Sequence, residues 1–200
     1  MKAPAFFDAV PRIAVHDGLA ETLGAAAGGV IEYTYADAVK LAGHSCPTVA
    51  GAYLMTRAAL ARLHPDCLPE RGELLVELRQ PLEEGVAGVI GNVAGLVTGA
   101  AGEGGFKGLG NRFDRRGLLR FGVTMAGILR ITRLDTKRSV TADYHPDIVP
   151  RPAALKALMP AALAAGAPAG ARGEFAAQWQ AWVGAILALA DDPRLVTLAD

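Results

Sequence analysis

Apolar and polar positions along the chain follow two rhythms, one helical and one extended. From Pro47 to about Leu63, the residues Val49, Tyr53, Thr56, Leu60 and Leu63 fall on one stripe of a helix. His64-Pro65 closes it, because a residue before proline avoids the helical region. Tyr35–Ala42 also reads as helical, and Gly43-His44-Ser45-Cys46-Pro47 breaks it. Upstream, the β-branched and aromatic run Val30–Tyr35 follows Gly28-Gly29 and predicts a short strand or an extended lead into that helix. Glu73–Arg79 alternates charged with apolar residues and ends at Pro81, which predicts a strand. Val86–Ala101 is apolar, with glycines at 88, 91, 95 and 99 on one helical face, where another element can approach closely.

Gly102–Arg116 is a glycine- and arginine-rich loop. Arg120–Arg133 and Arg138–Tyr144 predict antiparallel strands joined by Leu134-Asp135-Thr136-Lys137. After Pro150 the composition turns to alanine. Pro152–Ala165 predicts a helix that Pro160 should kink or divide, and Ala167–Gly173 a flexible joint. Glu174–Asp191 predicts the cleanest helix, with Phe175, Trp179, Trp182, Ile186 and Leu189 at spacings of 4, 3, 4 and 3. Such a stripe packs on the core or a second subunit rather than holding a cofactor. The layout is α+β: an antiparallel sheet with helices packed on it over residues 1–150, then an alanine-rich, all-helical extension over 151–200. No internal repeat is visible.

Composition narrows the function classes. Lys and Arg number 20, Asp and Glu 20, and 52% of the 200 residues are hydrophobic, so the chain can bury a sizeable core. Zero net charge excludes a generally basic nucleic-acid binder and an acidic disordered tail. Cys46 and Cys67 make no CxxC motif and no disulfide framework, which favours a reducing compartment. Met1–Val10 lacks an apolar run of signal-peptide length, and Val86–Ala101 is shorter than the roughly 20 residues that span a bilayer. A cytoplasmic protein without membrane or nucleic-acid partners is expected.

Gly43–Pro47 is the stretch richest in chemistry. Proline is favourable at the first position of a helix, where its missing N–H would have no partner. Cys46 is therefore expected at or next to the N-cap, facing free backbone N–H groups that stabilise a thiolate. His44, two residues away, can reach the same point. Such a pair suits a transition metal, most readily zinc, or a nucleophile–base pair with Cys46 as nucleophile. The structural alternative is a buried cysteine capping the helix, with His44 bonded to a backbone carbonyl. Zinc needs three or four ligands, and His145, at the end of the last predicted strand, and His16, beside Asp17, are the further donors. His64 at a helix end is expected to be protonated against the dipole, and Cys67 carries no assigned role.

The second stretch runs from Thr98 to Phe113. Its glycines at 99, 102, 104, 105, 108 and 110 let backbone approach a ligand, and Lys107, Asn111 and Arg112 offer groups for a small carboxylate or phosphate. No GxxxxGK[ST] motif is present. Residues 103–138 hold nine Lys/Arg against three Asp/Glu, but few aromatics, which argues against nucleic acid.

At these two stretches the chain resembles the FmdE family, named after a protein encoded with formylmethanofuran dehydrogenase. The family opens its core with His-Gly-His-x-Cys-Pro-Gly; here the run is Ala42-Gly43-His44-Ser45-Cys46-Pro47-Thr48, followed by Gly51. Ile90–Gly99 and Phe106–Asn111 resemble the family's glycine-rich helix and Gly-Lys-Gly-Asn-like loop, so the similarity covers about residues 36–145. It implies an α+β core, a homodimer, and a metal, often zinc, near His44 and Cys46. Ala42 replaces the first signature histidine, and Val89-Ile90-Gly91-Asn92 stands where many members have Gly-Cys. The C-terminal zinc-finger cysteines of some members are absent.

The leading expectation is a dimeric, FmdE-like metal-binding protein using Cys46 and His44, with His145 or His16 as further ligands, acting on or binding a small anionic molecule. Haem iron or another soft metal also suits a thiolate with imidazoles. A metal-free thiol enzyme and a non-catalytic dimeric scaffold are the alternatives.

Overall fold

The computed structural model describes residues 3–200. The chain runs through β1 (Ile13–His16), α1 (Gly18–Thr22), β2 (Val30–Tyr33), α2 (Tyr35–Ala42), α3 (Pro47–Leu63), β3 (Leu74–Leu78) and α4 (Ala87–Thr98). Next come β4 (Lys107–Leu109), β5 (Arg112–Asp114), β6 (Leu119–Arg120), β7 (Leu129–Arg133) and β8 (Ser139–Tyr144). Helices α5 (Ala153–Leu163) and α6 (Ala169–Leu187) and strand β9 (Val196–Ala199) complete it. The main sheet has the order β6-β3-β7-β8-β9, antiparallel throughout except for the parallel pair β3–β6. β1–β2 and β4–β5 form separate antiparallel ribbons.

Helix α3 lies across β7, β8 and β9, with α4 beside it against β3, and α2 and α6 packed around it. Tyr53, Leu54, Met55, Leu60 and Leu63 of α3 meet Leu74, Leu78, Leu129 and Ile131 of the sheet in one fully buried core. The fold class is thus α+β, with antiparallel strands carrying helices, as the apolar rhythm predicts. The glycine face of α4 is used at Gly91, where an added Cβ would stand 2.5 Å from the Phe121 ring.

Several boundaries differ from the expectations. Residues 120–133 are not one strand: β6 and β7 flank an irregular stretch in which Gly122 and Gly127 hold positive φ. The glycine-rich loop contains the β4–β5 hairpin, turned by Gly110 and Asn111 at φ 58 and 62, the two-residue geometry that suits strand twist. In the tail, α5 continues through Pro160, and the expected joint at 167–173 belongs largely to α6. The extension is helical as far as α6 but not throughout. β9 returns to pair with β8, and Val183, Ile186, Leu195 and Val196 join the main core, so the boundary drawn at residue 150 is crossed by the sheet. Among the described residues, no helix is long and apolar enough to cross a membrane.

Candidate functional site

The turn between α2 and α3 is built as the Pro47 argument requires. Cys46 is the N-cap of α3 with extended backbone, and its Sγ accepts from the Val49 N–H at 3.5 Å. The thiol is buried. His44 is exposed, and its Nδ1 stands 2.9 Å from the Ala42 carbonyl, so the ring nitrogen there carries the proton. Both contacts are those of the structural alternative. Trp179 Nε1 and Gln180 Nε2 donate to the Ser45 carbonyl at 2.9 and 3.2 Å, and Tyr35 shares a buried hydrogen bond with Ser45 Oγ. The tryptophans of the α6 stripe therefore pack within the chain, Trp179 over the Ser45 turn and Trp182 with its Nε1 donating to the Val149 carbonyl at 3.0 Å. A small cavity of about 150 Å³ beside His44 is lined by Leu41, Ala42, Val89, Asn92 and Val93.

The two further histidines lie elsewhere. His145 Nε2 is 3.0 Å from Thr197 Oγ1 at the β8–β9 edge. His16 ends β1, its Nδ1 2.5 Å from Glu70 Oε2 and its Nε2 3.3 Å from Glu21. Among the described residues, no three His, Cys, Asp or Glu side chains stand where they could share a metal ion. Burial and the Arg133 charge lower the His64 pKa, so that ring is neutral rather than protonated against the helix dipole. It stands 3.7 Å from Cys67 Sγ.

What the fold does bring together is a cleft of about 760 Å³ between α1, the loop preceding β3, and the β4–β5 hairpin. His16, Glu70, Asn111 and Arg112 line it, with Glu21, Arg71, Glu73, Phe113 and Arg115. Lys107 does not; it is exposed on β4. Beneath the cleft lies Asp17, whose side chain is 3% exposed. It caps α1 through the Leu19 and Ala20 N–H groups and accepts from Arg71 Nη1 at 2.8 Å and from Arg115 Nη2 at 2.9 and 2.8 Å. Burial pushes the Asp17 pKa up, but the Ala20 N–H and the two guanidiniums outweigh it, and the net direction is down.

Phe113, at the cleft, holds φ 64. A bulky residue in the left-handed region is an outlier that costs on the order of 1–3 kcal/mol, and such strain gathers at functional sites. Arg112 lies over the Phe113 ring, 4.5 Å from its centroid, and its guanidinium makes no hydrogen bond or ion pair among the described residues. The basic stretch 103–138 is partly neutralised, because Arg115, Arg116, Arg130 and Arg133 are ion-paired. Asp17, Glu70, Arg71 and Arg115 carried no sequence periodicity. The available signals were an Asx cap at Asp17 and a charged Glu70-Arg71 pair between Pro69 and Gly72.

The His16–Glu70 pair has a pH signature. The Glu70 hydrogen bond raises the His16 pKa above 6.5 against a smaller opposing effect of burial. Its contribution to stability is complete below 6.5 and is lost as pH rises through the folded-state value. Urea midpoints measured from about pH 6 to 9 should therefore converge between wild type and His16→Gln as pH rises. Parallel profiles across that range would remove the ion pair from the account. No known protein family matches this chain, and no curated protein does.

Proposed function

We propose that this protein binds a small polar molecule carrying an anionic group, in the cleft between α1 and the β4–β5 hairpin. The observation that carries the reading is the convergence of Arg71, Arg112, Arg115 and His16 on one 760 Å³ cleft, a volume suited to a metabolite-sized ligand. Asp17 holds Arg71 and Arg115 from below, so their guanidiniums are fixed before any ligand arrives, which lowers the ordering cost of binding. Arg112 is the cation whose whole guanidinium is left for a ligand, supported by the Phe113 ring, and Arg115 keeps donors that Asp17 does not use.

A thermal-shift and calorimetric panel of small carboxylates and phosphate esters tests this. Arg112→Ala should weaken binding about tenfold or more, since a charge-assisted hydrogen bond contributes roughly 1.5–3 kcal/mol. It should leave the fold intact, because the exposed Arg112 side chain loses only its stacking on Phe113. Unchanged affinity in that variant would place the ligand elsewhere.

A second reading follows from the FmdE resemblance: a transition metal, zinc first, held by His44 and Cys46 with donors from a second copy of the chain. One observation favours it. With Nδ1–H bonded to the Ala42 carbonyl, the His44 Nε2 lone pair is free for a metal, and metal-bound histidines are commonly oriented this way by a carbonyl. Elemental analysis of protein purified without an affinity tag should then give about one metal per chain, falling sharply in Cys46→Ser. Equal metal content in both proteins, or none in either, would end this reading.

A further inference from the structure

The lining of the cleft carries both signs of charge, yet the two sets do not neutralise one another. Glu21 and Glu70 pair with His16, Asp114 pairs with Arg116 outside the lining, and Glu73 has no side-chain partner among the described residues. Arg71 and Arg115 pair with Asp17, and Arg112 stacks on Phe113. No ion pair joins any of these four carboxylates to any of these three guanidiniums among the described residues. Carboxylates and guanidiniums held around one cavity by other partners maintain a local field between them. That field stabilises a ligand with charges of both signs more than a ligand with either alone.

We infer that the ligand of this cleft is zwitterionic, an amino-acid-like molecule with its anionic group at Arg112 and Arg115 and its ammonium group at Glu21 and Glu73. This rests on the cleft being the small-molecule site, and it goes further by fixing the charge pattern of the ligand. An anion alone would gain the arginines but stand near three unneutralised or half-neutralised carboxylates. An amine alone would meet the reverse. A molecule with both charges gains both sets, and each charge-assisted hydrogen bond is shorter and roughly twice as strong as a neutral one.

The test uses matched probes on the full chain: a graded series of ω-amino acids, with the corresponding carboxylic acids and alkylamines, titrated by calorimetry. At least one ω-amino acid should bind about tenfold or more tightly than both of its singly charged counterparts. Glu73→Gln, at an exposed side chain without partners among the described residues, should weaken the amino acid several-fold while tightening the carboxylic acid, which loses a repelling neighbour. Carboxylic acids binding as tightly as their amino acids would overturn the zwitterion inference while leaving an anion site in place. Binding by no probe, together with silence across the carboxylate and phosphate-ester panel, would overturn both. Arg112→Ala distinguishes them further, because it should weaken acids and amino acids alike.

Discussion

Asp17→Ala is expected to cost about 3–5 kcal/mol, the range seen when one partner is removed from a buried ion pair. The carboxylate accepts five hydrogen bonds, from the Leu19 and Ala20 N–H groups, from Arg71, and twice from Arg115. Alanine deletes all of them and leaves two guanidiniums, 15% and 12% exposed, without their shared counter-charge. The lost helix cap alone accounts for about 1 kcal/mol; the uncompensated charges dominate. For a chain of this length the change corresponds to a melting-temperature drop on the order of 10 °C. Asp17→Asn keeps an acceptor for the cap and should fall between alanine and wild type. Because the Asp17 pKa is lowered in the fold, its contribution is present above the ordinary carboxylate value and fades as pH falls through the folded one. The Asn variant should therefore lack part of the wild-type acid limb. An Asp17→Ala protein within about 1 kcal/mol of wild type would mean that the arginines find other partners.

Gly51→Ala sets two effects against each other, and their sizes decide the sign. Alanine in the middle of α3 gains about 1 kcal/mol of helix propensity over glycine. Its methyl group, however, would sit inside van der Waals contact with the Tyr144 ring, touching three of its carbons. Tyr144 cannot swing away cheaply, because its hydroxyl donates to the Pro47 carbonyl at 3.0 Å and its strand is paired on both sides. Overpacking a held core site costs about 1–3 kcal/mol, and here it takes the upper part of that range, so net destabilisation of about 1–2 kcal/mol follows. Denaturation of Gly51→Ala, Tyr144→Ala and the double variant should show the alanine at 51 becoming neutral or favourable once the ring is gone. Additive losses would show that the ring is not the obstacle.

Much of the scaffold was legible because period and punctuation are local. Pro47 and the stripe through Leu63 give α3 its bounds, and the same proline places Cys46 at the N-cap. The site was not legible in the same way. Asp17 meets Arg71 across 54 positions and Arg115 across 98, and an ion pair between loops leaves no rhythm in the sequence. His16 and Arg112 were both visible as candidates, but as members of different sites; only the packing of the hairpin against α1 joins them. Conversely, His44 and His145 attract attention as ligand types, yet β8 and the α2–α3 turn hold them apart from His16. The tail read as helical because alanine and the tryptophan stripe dominate it. Val196–Ala199 is four residues long, too short for alternation to outweigh its surroundings.

That last strand also bears on how the protein is made. A nascent chain leaves the ribosome N-terminus first, so α3 emerges long before the elements that finish covering it. Its surface beneath β9 and α6 stays open until Val183, Ile186, Leu195 and Val196 arrive. The Arg57–Asp191 clamp can close only once α6 has been made, and the Arg62–Asp200 clamp only after β9. Upstream of β1, Phe6 lies against Gly184 of α6, so that segment too waits for α6. Such long-range closure slows folding and lengthens the interval in which apolar surface is exposed. During synthesis, then, the apolar surface of α3 has a defined moment of cover: the emergence of the β9 segment.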